Sequence, residues 1–516
     1  MSEDLLTPPP TDAARAAPKS PAQRAERHAG VVGAARGGLG NLAGAFVAGA
    51  AGFGVTWLVA RGLGPASAGS FFAATSAFVL FSSVARLGTS TALVYWPARL
   101  RAQGRPELIA ACLRIGLVPV AILATVLGVT LWFGAPHWFP RFEAPLRTLA
   151  LLLPVAALAE SLLAATRGYR MMRPTVLLDK IVKPAGQLLG VAILAAFALA
   201  AGVHVPATGW AVAWVLPYIP VFVFSAILLW RKVEVPSEPV AEENLGRAFW
   251  RFTAPRALAS CAQTALQRVD VLMVASLAGL VPAAAYAVAG RFIVVGQLAN
   301  GAISQAVQPR LAEMLSVDDR AGANRLYQLA TAWLVLVSWP LHLMVLDYAD
   351  FYLSVFGPSY VSAVPAVRVL AVAMLIATGC GMVDIVLSMA GRTTWNLMNV
   401  LIALTTMVAI DLYLIPRLGA LGAAIGLAAA VTVNNLLPLA QLGWSMRLHP
   451  FGPATRTAML LAMLSFGVVP WLTRQIGFGL LAGPICGLVV YATGLRLFSG
   501  RLELAVILAA RRLRAR

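Results

Sequence analysis

Charged residues are scarce in this sequence, and acidic residues are the scarcest of them. Only 12% of the 516 residues are charged, whereas a soluble globular domain carries about 25%. Apolar runs of roughly 20 residues recur along the chain instead, which is the length that a helix needs to cross a bilayer core of about 30 Å. The scarcity of charge argues against a soluble fold and predicts a polytopic membrane protein.

The sequence contains only four cysteines, and they are far apart. Cys112, Cys261, Cys380 and Cys486 all fall in apolar segments, and no CxxC pair or other metal-ligand spacing occurs. This usage supports neither a disulfide framework nor a zinc site, so we expect no metal centre. A buried free cysteine behaves as a small apolar side chain, and we predict that role for all four.

Catalytic signatures are absent as well. The sequence has no HExxH motif, no P-loop and no recognisable nucleophile motif, and the segments between the apolar runs are short. Short loops leave no room for a soluble catalytic or ATP-binding domain. We therefore expect no enzyme activity and no cofactor, and any transport would draw on an ion gradient, the membrane potential or a substrate gradient.

Basic residues, in contrast, are abundant and unevenly distributed. The formal net charge is +19, and with the amino terminus placed inside, 26 Lys and Arg residues fall in inside segments and 5 in outside segments. The positive-inside rule then predicts a multi-pass cell-membrane protein with both termini cytoplasmic, and the excess charge attracts anionic membrane lipids. No basic stretch alternates with aromatic residues outside the apolar runs, so a nucleic-acid partner is not expected.

Fourteen apolar stretches have the length of membrane-spanning helices. The sequence therefore predicts an all-α polytopic membrane protein with about fourteen transmembrane helices, and membrane helices tolerate the glycines and prolines within these stretches. The predicted helices are centred near residues 49, 78, 120, 154, 191, 219, 266, 294, 336, 375, 404, 430, 464 and 487.

Short matched segments indicate an internal repeat. The matched positions lie 212 to 217 residues apart: Pro65 with Pro282, Pro97 with Pro309, and Gly209 with Gly422. A repeat of this kind is a common plan among secondary transporters, which bind substrate at the interface between the repeats. The repeat predicts two six-helix lobes, followed by two C-terminal helices.

The polar segments divide the chain at the ends of these lobes. The longest internal polar stretch, KVEVPSEPVAEENLG, predicts a linker, and the amino terminus does not have the apolar core of a signal peptide. The predicted order is a disordered cytoplasmic tail at 1–36, the N-lobe with helices 1–6 at 37–231, a cytoplasmic linker at 232–246, the C-lobe with helices 7–12 at 247–447, helices 13 and 14 at 448–498, and a basic cytoplasmic tail at 499–516.

Predicted helix 7 carries a polar stripe. Arg256, Ser260, Gln263, Gln267 and Asp270 follow one another at intervals of four, three, four and three residues, which places them on one helix face. A polar stripe of this length is not expected to face lipid. It lines a central cavity in one interpretation and forms a buried interhelical hydrogen-bond network in the other.

Arginines also interrupt predicted helices 2 and 8. Arg86 shares a short polar face with Thr75, Ser82 and Thr89 on helix 2, and Arg291 lies within the apolar run of helix 8. A charge at the bilayer centre costs about 2.5–3.5 kcal/mol on insertion scales. Each arginine is therefore expected to have a partner or to face a hydrated cavity.

Acidic residues mark three further helices. Asp179 precedes Lys183 by four residues on helix 5, a spacing that favours a local ion pair, and this pair is either structural or a site of substrate or ion contact. Asp384 on helix 10 is either a proton or cation site or the partner of a nearby arginine. Glu160 and Arg167 lie seven residues apart on helix 4, where Arg167 is expected to reach the cytoplasmic interface.

Several longer segments resemble a known family. They are RGLGPASAGSFFAATSAFVLFSSVARLGTSTALV at 61–94, the segment at 287–331 that begins at Ala287 and ends with PRLAEMLSVDDRAGANRLYQLAT, FGPSYVSAVPAVRVLAVAMLIATGCGMVDIVLSMAGRTTWNLMNV at 356–400, and IPRLGALGAAIGLA from residue 415. Together they resemble the Wzx-type oligosaccharide-lipid flippases, a polysaccharide-transporter family of the MOP superfamily, over roughly residues 36–498.

The resemblance implies a V-shaped, two-lobe transporter that works by alternating access. Its cargo would be a polyprenyl-diphosphate-linked oligosaccharide that moves from the cytoplasmic to the outer leaflet for cell-surface polysaccharide biosynthesis. Arg86 and Arg291 would stand at equivalent places in the two lobes and bind the diphosphate, because a guanidinium donates paired hydrogen bonds to phosphate. Helices 13 and 14 resemble the pair that holds the prenyl tail in lipid-carrying relatives.

Other interpretations stay open at the level of sequence. A lipid II flippase or a drug or metabolite antiporter of the same superfamily would share the fold. A membrane glycosyltransferase or polymerase would need a large extracytoplasmic loop, which the sequence does not have. The expected partners are the lipid-linked oligosaccharide and membrane lipids, with a glycan polymerase or glycosyltransferase as further candidates.

Overall fold

The structure of the protein is a computed structural model that describes residues 43–169, 171–233 and 244–503. Every regular element within these ranges is helical, so the predicted all-α class is confirmed. The predicted tail at 1–36 lies outside the described residues, as do most of the predicted linker and most of the predicted carboxyl-terminal tail.

The described ranges contain twenty-one α-helices, numbered here along the chain. They are α1 (Ala43–Gly62), α2 (Pro65–Ala85), α3 (Thr89–Ala102), α4 (Leu108–Trp138), α5 (Glu143–Ala150), α6 (Leu153–Gly168), α7 (Lys183–Ala201), α8 (Ala207–Val215), α9 (Tyr218–Trp230), α10 (Leu245–Leu277), α11 (Leu280–Ala289), α12 (Ile293–Ser316), α13 (Arg320–Asp347), α14 (Ala349–Ser354), α15 (Val364–Gly379), α16 (Val383–Met389), α17 (Thr393–Leu418), α18 (Ala420–Met446), α19 (Pro453–Met463), α20 (Val469–Gln475) and α21 (Ala482–Leu497). Shorter helical segments join some of them: 3-10 turns at Pro140–Phe142, Gly290–Phe292 and Pro358–Ala363, and π-helical segments at Thr175–Val182 and Leu464–Val468.

Eleven helical segments of the described chain are long and apolar enough to cross a membrane, or twelve if the bent pair α5–α6 forms one span. Each of the fourteen predicted centres lies in a helical segment. Two of the fourteen predicted spans are not among these twelve. One is α10, which carries four arginines and one aspartate, and the other is α21, which has only 16 residues. The number fourteen therefore stays a prediction.

The described residues form two compact units. The first comprises residues 43–58 and 74–264, and the second comprises residues 59–73 and 265–503. The division passes through α1, α2 and α10. The predicted lobe boundaries, 37–231 and 247–447, stay predictions.

The first unit has its main core where α3, α4, α6 and the beginning of α10 meet. Trp96, Leu113 and Phe249 are buried there, and Cys112 fills space among them. Lipid is as apolar as these side chains, so close van der Waals packing, rather than removal from water, holds such helices together. This core includes the carboxyl half of α6, and a smaller cluster packs the carboxyl end of α2 through Ala85 against α4 and α6. Both helix ends lie next to polar residues of the candidate site.

The second unit contains two larger cores. In one, α12, α13, α16 and α18 surround Tyr327, with Cys380 buried beside it. In the other, α19, α21 and the π-helical segment Leu464–Val468 pack on α13, and Trp339, Leu343 and Phe466 belong to this cluster. The last helices of the described chain are thus anchored to α13 within this unit.

Three of the long spans are broken in their interior. Gly88 and Gly381 adopt left-handed backbone angles (φ 69° and 73°), which glycine accepts at little cost, and the 3-10 turn Gly290–Phe292 separates α11 from α12. A break frees backbone groups that need a partner in a membrane, and the Tyr327 hydroxyl donates to the Cys380 carbonyl at 2.5 Å. Arg86, Arg291 and Asp384 all lie at or next to these breaks.

The break at Gly88 allows a close approach of α10, and replacing this glycine by alanine is expected to destabilise the protein. A Cβ at Gly88 would lie 2.5 Å from the Ala257 backbone nitrogen, whereas a Cβ at Gly104, which also has a positive φ (73°), would have no atom within 4 Å. Gly104→Ala incurs about 1–2 kcal/mol for the left-handed backbone, and Gly88→Ala adds about 1–3 kcal/mol of steric overlap. Thermal unfolding of the purified protein in detergent measures the difference, and equal melting temperatures would contradict the close approach.

Candidate functional site

The first unit holds a network of charged side chains that come from four different segments. Arg86 Nη1 lies 2.5 Å from Glu160 Oε2, Lys183 Nζ lies 3.4 Å from Glu160 Oε1, and Lys183 Nζ lies 2.6 Å from Asp179 Oδ1. We call Arg86, Glu160, Asp179 and Lys183 the charged network. Glu160 joins Arg86 to Lys183, so the network is continuous.

Local structure explains how these side chains reach one another. Arg86 directly follows the last residue of α2, Glu160 lies in the middle of α6, and Asp179 belongs to the π-helical segment that precedes α7. Lys183 is the first residue of α7 and lies one turn after Asp179, so the two form an i, i+4 ion pair. π-helical segments within helices are frequently found at functional sites.

Further polar groups surround the network. Lys180 Nζ lies 3.3 Å from Asp179 Oδ2, and Lys183 Nζ lies 5.2 Å from the centre of the Tyr218 ring, a cation–π distance. Arg167 lies close enough to Asp179 and Glu160 to interact electrostatically, and its Nε is buried without a hydrogen-bond partner. The two acids of the network are thus surrounded by four cations.

The side chains of the charged network are partly exposed rather than fully buried. The side chains of Arg86, Glu160, Asp179 and Lys183 keep 21%, 25%, 22% and 13% of their surface exposed. Charges in a membrane-spanning region need partners, and this network supplies them internally while leaving each head group partly accessible. Such an arrangement allows one anionic group to be exchanged for another.

In the second unit, Arg291 lies in the 3-10 turn between α11 and α12. Its guanidinium carbon is 5.8 Å from the centre of the Phe72 ring, and its Nε is buried without a hydrogen-bond partner. Arg291 forms no ion pair with any residue that the structure describes. Arg291 therefore retains hydrogen-bonding capacity for an anion.

The two arginines are not at the same depth in their spans. Arg86 directly follows the last residue of the 21-residue α2, whereas Arg291 lies two residues after the end of the 10-residue α11. Both lie at helix breaks, but the number of helical turns before the break differs. The equivalence of Arg86 and Arg291 that the resemblance implies is therefore limited to their position at a break.

The polar stripe of predicted helix 7 lies on α10 and is only partly continuous. Arg256, Gln263 and Gln267 are exposed, whereas Asp270 is 3% exposed. Arg256 is held by its own helix, because its Nη1 donates to the Phe252 carbonyl at 2.7 Å. The stripe is thus an exposed row that ends at a buried acid.

Asp270 belongs to a buried acidic pair. Its carboxylate accepts hydrogen bonds from the Tyr286 hydroxyl and from the Val271 backbone nitrogen. Asp411 on α17 is fully buried and interacts electrostatically with Asp270, yet neither of its carboxylate oxygens has a hydrogen-bond partner. Leu266 and Met407, one turn before the two acids, are packed in the same core.

Arg268 lies close enough to Asp270 to interact with it electrostatically, but one cation beside two buried carboxylates still leaves one negative charge uncompensated. Asp270 and Asp411 can therefore bind a proton or a monovalent cation. The described residues contain no group of three or more His, Cys, Asp or Glu side chains suited to a metal ion. The pair is chemically suited to ion coupling, which the sequence had suggested for Asp179, Lys183 and Asp384 instead.

Asp384 lies in the first turn of α16, just after the break at Gly381. Its side chain is exposed, and no ion pair within the described ranges involves it. Its carbonyl accepts a hydrogen bond from Asn396 Nδ2 at 2.8 Å, and the same nitrogen donates to Ser388 Oγ at 2.6 Å. Asp384 is therefore separate from the buried acidic pair.

Sequence reasoning did not select Glu160 and Tyr218 as site residues, and it did not select Asp411 at all. Asp411 is a lone acid in the apolar run AIDLYL, and an ionisable residue within a membrane span is a functional candidate by default. The sequence alone could therefore have identified Asp411 as a candidate site residue. In the sequence, Glu160 stands seven residues before Arg167, whereas its closest partner in the structure is Arg86, which follows α2.

Comparison with known families gives two matches along the chain. The family described as polysaccharide biosynthesis protein matches residues 34–315, and the MatE family matches residues 255–414. No match was found among curated proteins. The first family match covers more than half of the chain.

The fold is similar to several solved transporter structures. The lipid II flippase MurJ, in an inward closed conformation, has a TM-score of 0.67 at 13% identity, covering 89% of this chain and 98% of that chain. An inward-facing multidrug resistance MATE family transporter of the MOP superfamily has 0.63 at 14%, covering 80% and 98%. A MOP superfamily transporter from Pyrococcus furiosus has 0.52 at 15%, covering 84% and 96%.

Proposed function

Because this chain belongs to the polysaccharide biosynthesis protein family of the MOP superfamily of transporters, we propose that it flips a lipid-linked oligosaccharide. The cargo is a polyprenyl-diphosphate-linked glycan, which moves by alternating access from the cytoplasmic to the outer leaflet of the cell membrane. Both termini are cytoplasmic in this proposal, as the distribution of arginine indicates.

The charged network is the observation that carries the proposal. Glu160 accepts from Arg86 and Lys183 at once, and a diphosphate presents several anionic oxygens that can do the same. A guanidinium binds phosphate through paired hydrogen bonds and an ammonium binds it as a point charge. In the proposed binding step the diphosphate replaces Glu160 at Arg86, and Glu160 occupies this arginine when no cargo is bound.

Arg291 supports the proposal independently in the second unit. Its Nε is buried without a partner, and an unsatisfied buried charged group is expensive unless a ligand completes its hydrogen bonds. An anionic head group supplies the missing acceptors. Arg291 is therefore proposed as a second cationic contact for the cargo.

Two alternatives of the same superfamily remain candidates with distinct signatures. Lipid II is also a polyprenyl diphosphate, so the charged network suits it equally, and the MurJ-like fold favours it as a second candidate. A small-molecule or cation antiporter would use the buried acidic pair but has no need for the network of cations. Identifying the lipid that accumulates in the inner leaflet after depletion of the protein separates all three.

Arg291→Ala is expected to abolish glycan export while the protein still inserts into the membrane. Removing a charge from a span relieves about 2.5–3.5 kcal/mol of insertion cost, so the amount of protein is not expected to fall. The assay measures surface glycan and the inner-leaflet lipid-linked precursor in cells whose only copy is the variant.

Arg417→Ala is the matched control for this experiment. Arg417 is an exposed arginine of the same unit, and its guanidinium stacks on Tyr413 of its own helix. Its replacement is expected to leave export unchanged. Normal export by Arg291→Ala would remove Arg291 from the cargo site, and drug efflux without any glycan defect on depletion would favour the antiporter.

A further inference from the structure

A second polar site lies away from the charged network and the buried acidic pair. A pocket of about 530 Å³ is present in the second unit where the carboxyl end of α13 meets α15 and α20. Its walls are formed by Leu346, Asp347, Arg368, Trp471, Arg474 and Gln475. The volume falls within the range of about 300–1,000 Å³ that is typical of small-molecule sites.

One side of the pocket is held in place by Arg474. Its guanidinium donates to the backbone carbonyl of Asp347, the last residue of α13, and lies 5.2 Å from the centre of the Tyr348 ring. A cation at a helix carboxyl terminus is favourable, because it satisfies free carbonyls and complements the helix dipole. The contact fixes α20 against the end of α13 and thereby shapes the pocket.

The polar groups of the pocket are not fully satisfied within the protein. Asp347 Oδ2 is buried without a hydrogen-bond partner. Arg368 lies 3.7 Å from Asp350, both side chains are about half exposed, and Arg368 also interacts electrostatically with Asp347. Buried polar atoms are normally hydrogen-bonded, so the unsatisfied carboxylate oxygen calls for a donor from a ligand or from water.

The charges in and beside the pocket cancel. Two arginines, Arg368 and Arg474, are balanced by two acids, Asp347 and Asp350. A site for phosphate would be expected to carry an excess of positive charge. A balanced set of carboxylate acceptors and guanidinium donors instead suits a neutral ligand whose groups both donate and accept hydrogen bonds, as sugar hydroxyls do.

Trp471 adds a flat apolar surface on which a sugar ring can stack. Its side chain is 55% exposed and stands in the wall of the pocket beside the polar groups. An indole ring offers a flat face with a negative quadrupole, against which the C–H groups of a pyranose ring pack. Carboxylate, guanidinium, amide and indole together form a lining suited to carbohydrate.

We propose that this pocket binds neutral sugar residues of a glycan through Asp347, Arg368, Arg474 and Gln475, with Trp471 as the stacking surface. The distribution of arginine predicts that this end of the helices is extracytoplasmic. The identity of the bound sugar as part of a transported glycan rests on the proposed function. The affinity of the pocket for sugars is independent of the proposed function.

The test uses the full-length protein in lipid nanodiscs and saturation-transfer difference NMR. The probes are lactose, maltose and N,N′-diacetylchitobiose, with inorganic pyrophosphate as a competitor. We expect saturation transfer to at least one disaccharide, at least fivefold weaker in Trp471→Ala and in Asp347→Asn. Trp444→Ala is the matched control, because Trp444 is 88% exposed on α18 outside the pocket, and it is expected to retain the full signal.

Three outcomes would overturn the inference. They are no transfer to any of the disaccharides, equal transfer in Trp471→Ala and the unaltered protein, or displacement of the sugar by pyrophosphate, which would identify an anion site. Failure of the proposed function would look different. In that case the sugar would bind as expected, whereas depletion of the protein would cause no accumulation of a lipid-linked glycan.

Discussion

Replacing Arg86 by alanine is expected to lower the rate of glycan translocation by about a hundredfold or more. The variant loses the group that faces Glu160 at 2.5 Å and, in the proposed mechanism, the first contact of the diphosphate. Truncating one partner of a buried, hydrogen-bonded charge pair in a complex costs about 2–5 kcal/mol of binding free energy, and about 1.4 kcal/mol corresponds to a factor of ten. The rate is measured as exposure of lipid-linked glycan in proteoliposomes that contain the purified protein.

Two further variants separate binding from structural support. Arg86→Lys keeps the charge but loses the planar fork, so we expect partial activity. Glu160→Gln frees Arg86 from its internal anion, so the cargo is expected to bind more tightly and to leave more slowly. A purely structural network would make all three variants lose stability in parallel, with no opposite change in cargo affinity.

Arg99→Ala is the matched control for this series. Arg99 lies on α3 of the same unit, where its Nη1 donates to the Tyr95 hydroxyl at 2.7 Å, and it is outside the charged network. Its replacement is expected to leave translocation near the level of the unaltered protein. If Arg86→Ala and Arg99→Ala transport equally well at equal protein amounts, the network does not bind the cargo.

The fold was predictable because bilayer thickness constrains the sequence directly. A run of about 20 apolar residues has few options other than a helix, so each predicted centre lies in a helical segment. The interior breaks were not predictable in the same way. The turn at Gly290–Phe292 contains one glycine and no proline, and hydropathy does not distinguish it from uninterrupted helix.

The same distinction applies to the candidate site: contacts between residues close in the sequence were predictable, and contacts between distant helices were not. The pair Asp179–Lys183 follows from an i, i+4 spacing along two adjoining helical segments, and the sequence suggested it. The bridge between Arg86 and Glu160 joins different helices, so no periodicity reveals it. Asp270 and Asp411 likewise become a pair only when α10 packs against α17.

In the second unit, Asp411→Asn is expected to stabilise the protein and to remove the ion dependence of transport. Its carboxylate is fully buried, without a hydrogen-bond partner and in electrostatic contact with Asp270. Folding leaves one negative charge of the acidic pair uncompensated until a proton or a cation neutralises it. Asp411→Asn removes that cost and retains the shape that fits beside Gly426, where little space is left. The free energy of unfolding is therefore expected to rise by about 1–2 kcal/mol, which differs from the loss that most core substitutions cause.

Transport by Asp411→Asn is expected to become insensitive to ion gradients. The acidic pair can take up a proton or a monovalent cation only while it holds excess negative charge, and the amide removes that excess. Translocation is measured in proteoliposomes with an imposed proton gradient, an imposed sodium gradient or neither, and the variant is expected to give one rate in all three.

Asp384→Asn is the matched control, because Asp384 is an exposed acid of the same unit outside the pair. A variant that is more stable yet no longer driven by ions identifies Asp411 as a residue kept for coupling at the expense of stability, a trade that is common at functional sites. If Asp411→Asn keeps full ion dependence, the buried pair is structural. Loss of that dependence in Asp384→Asn would then place the coupling site at the break beside Gly381.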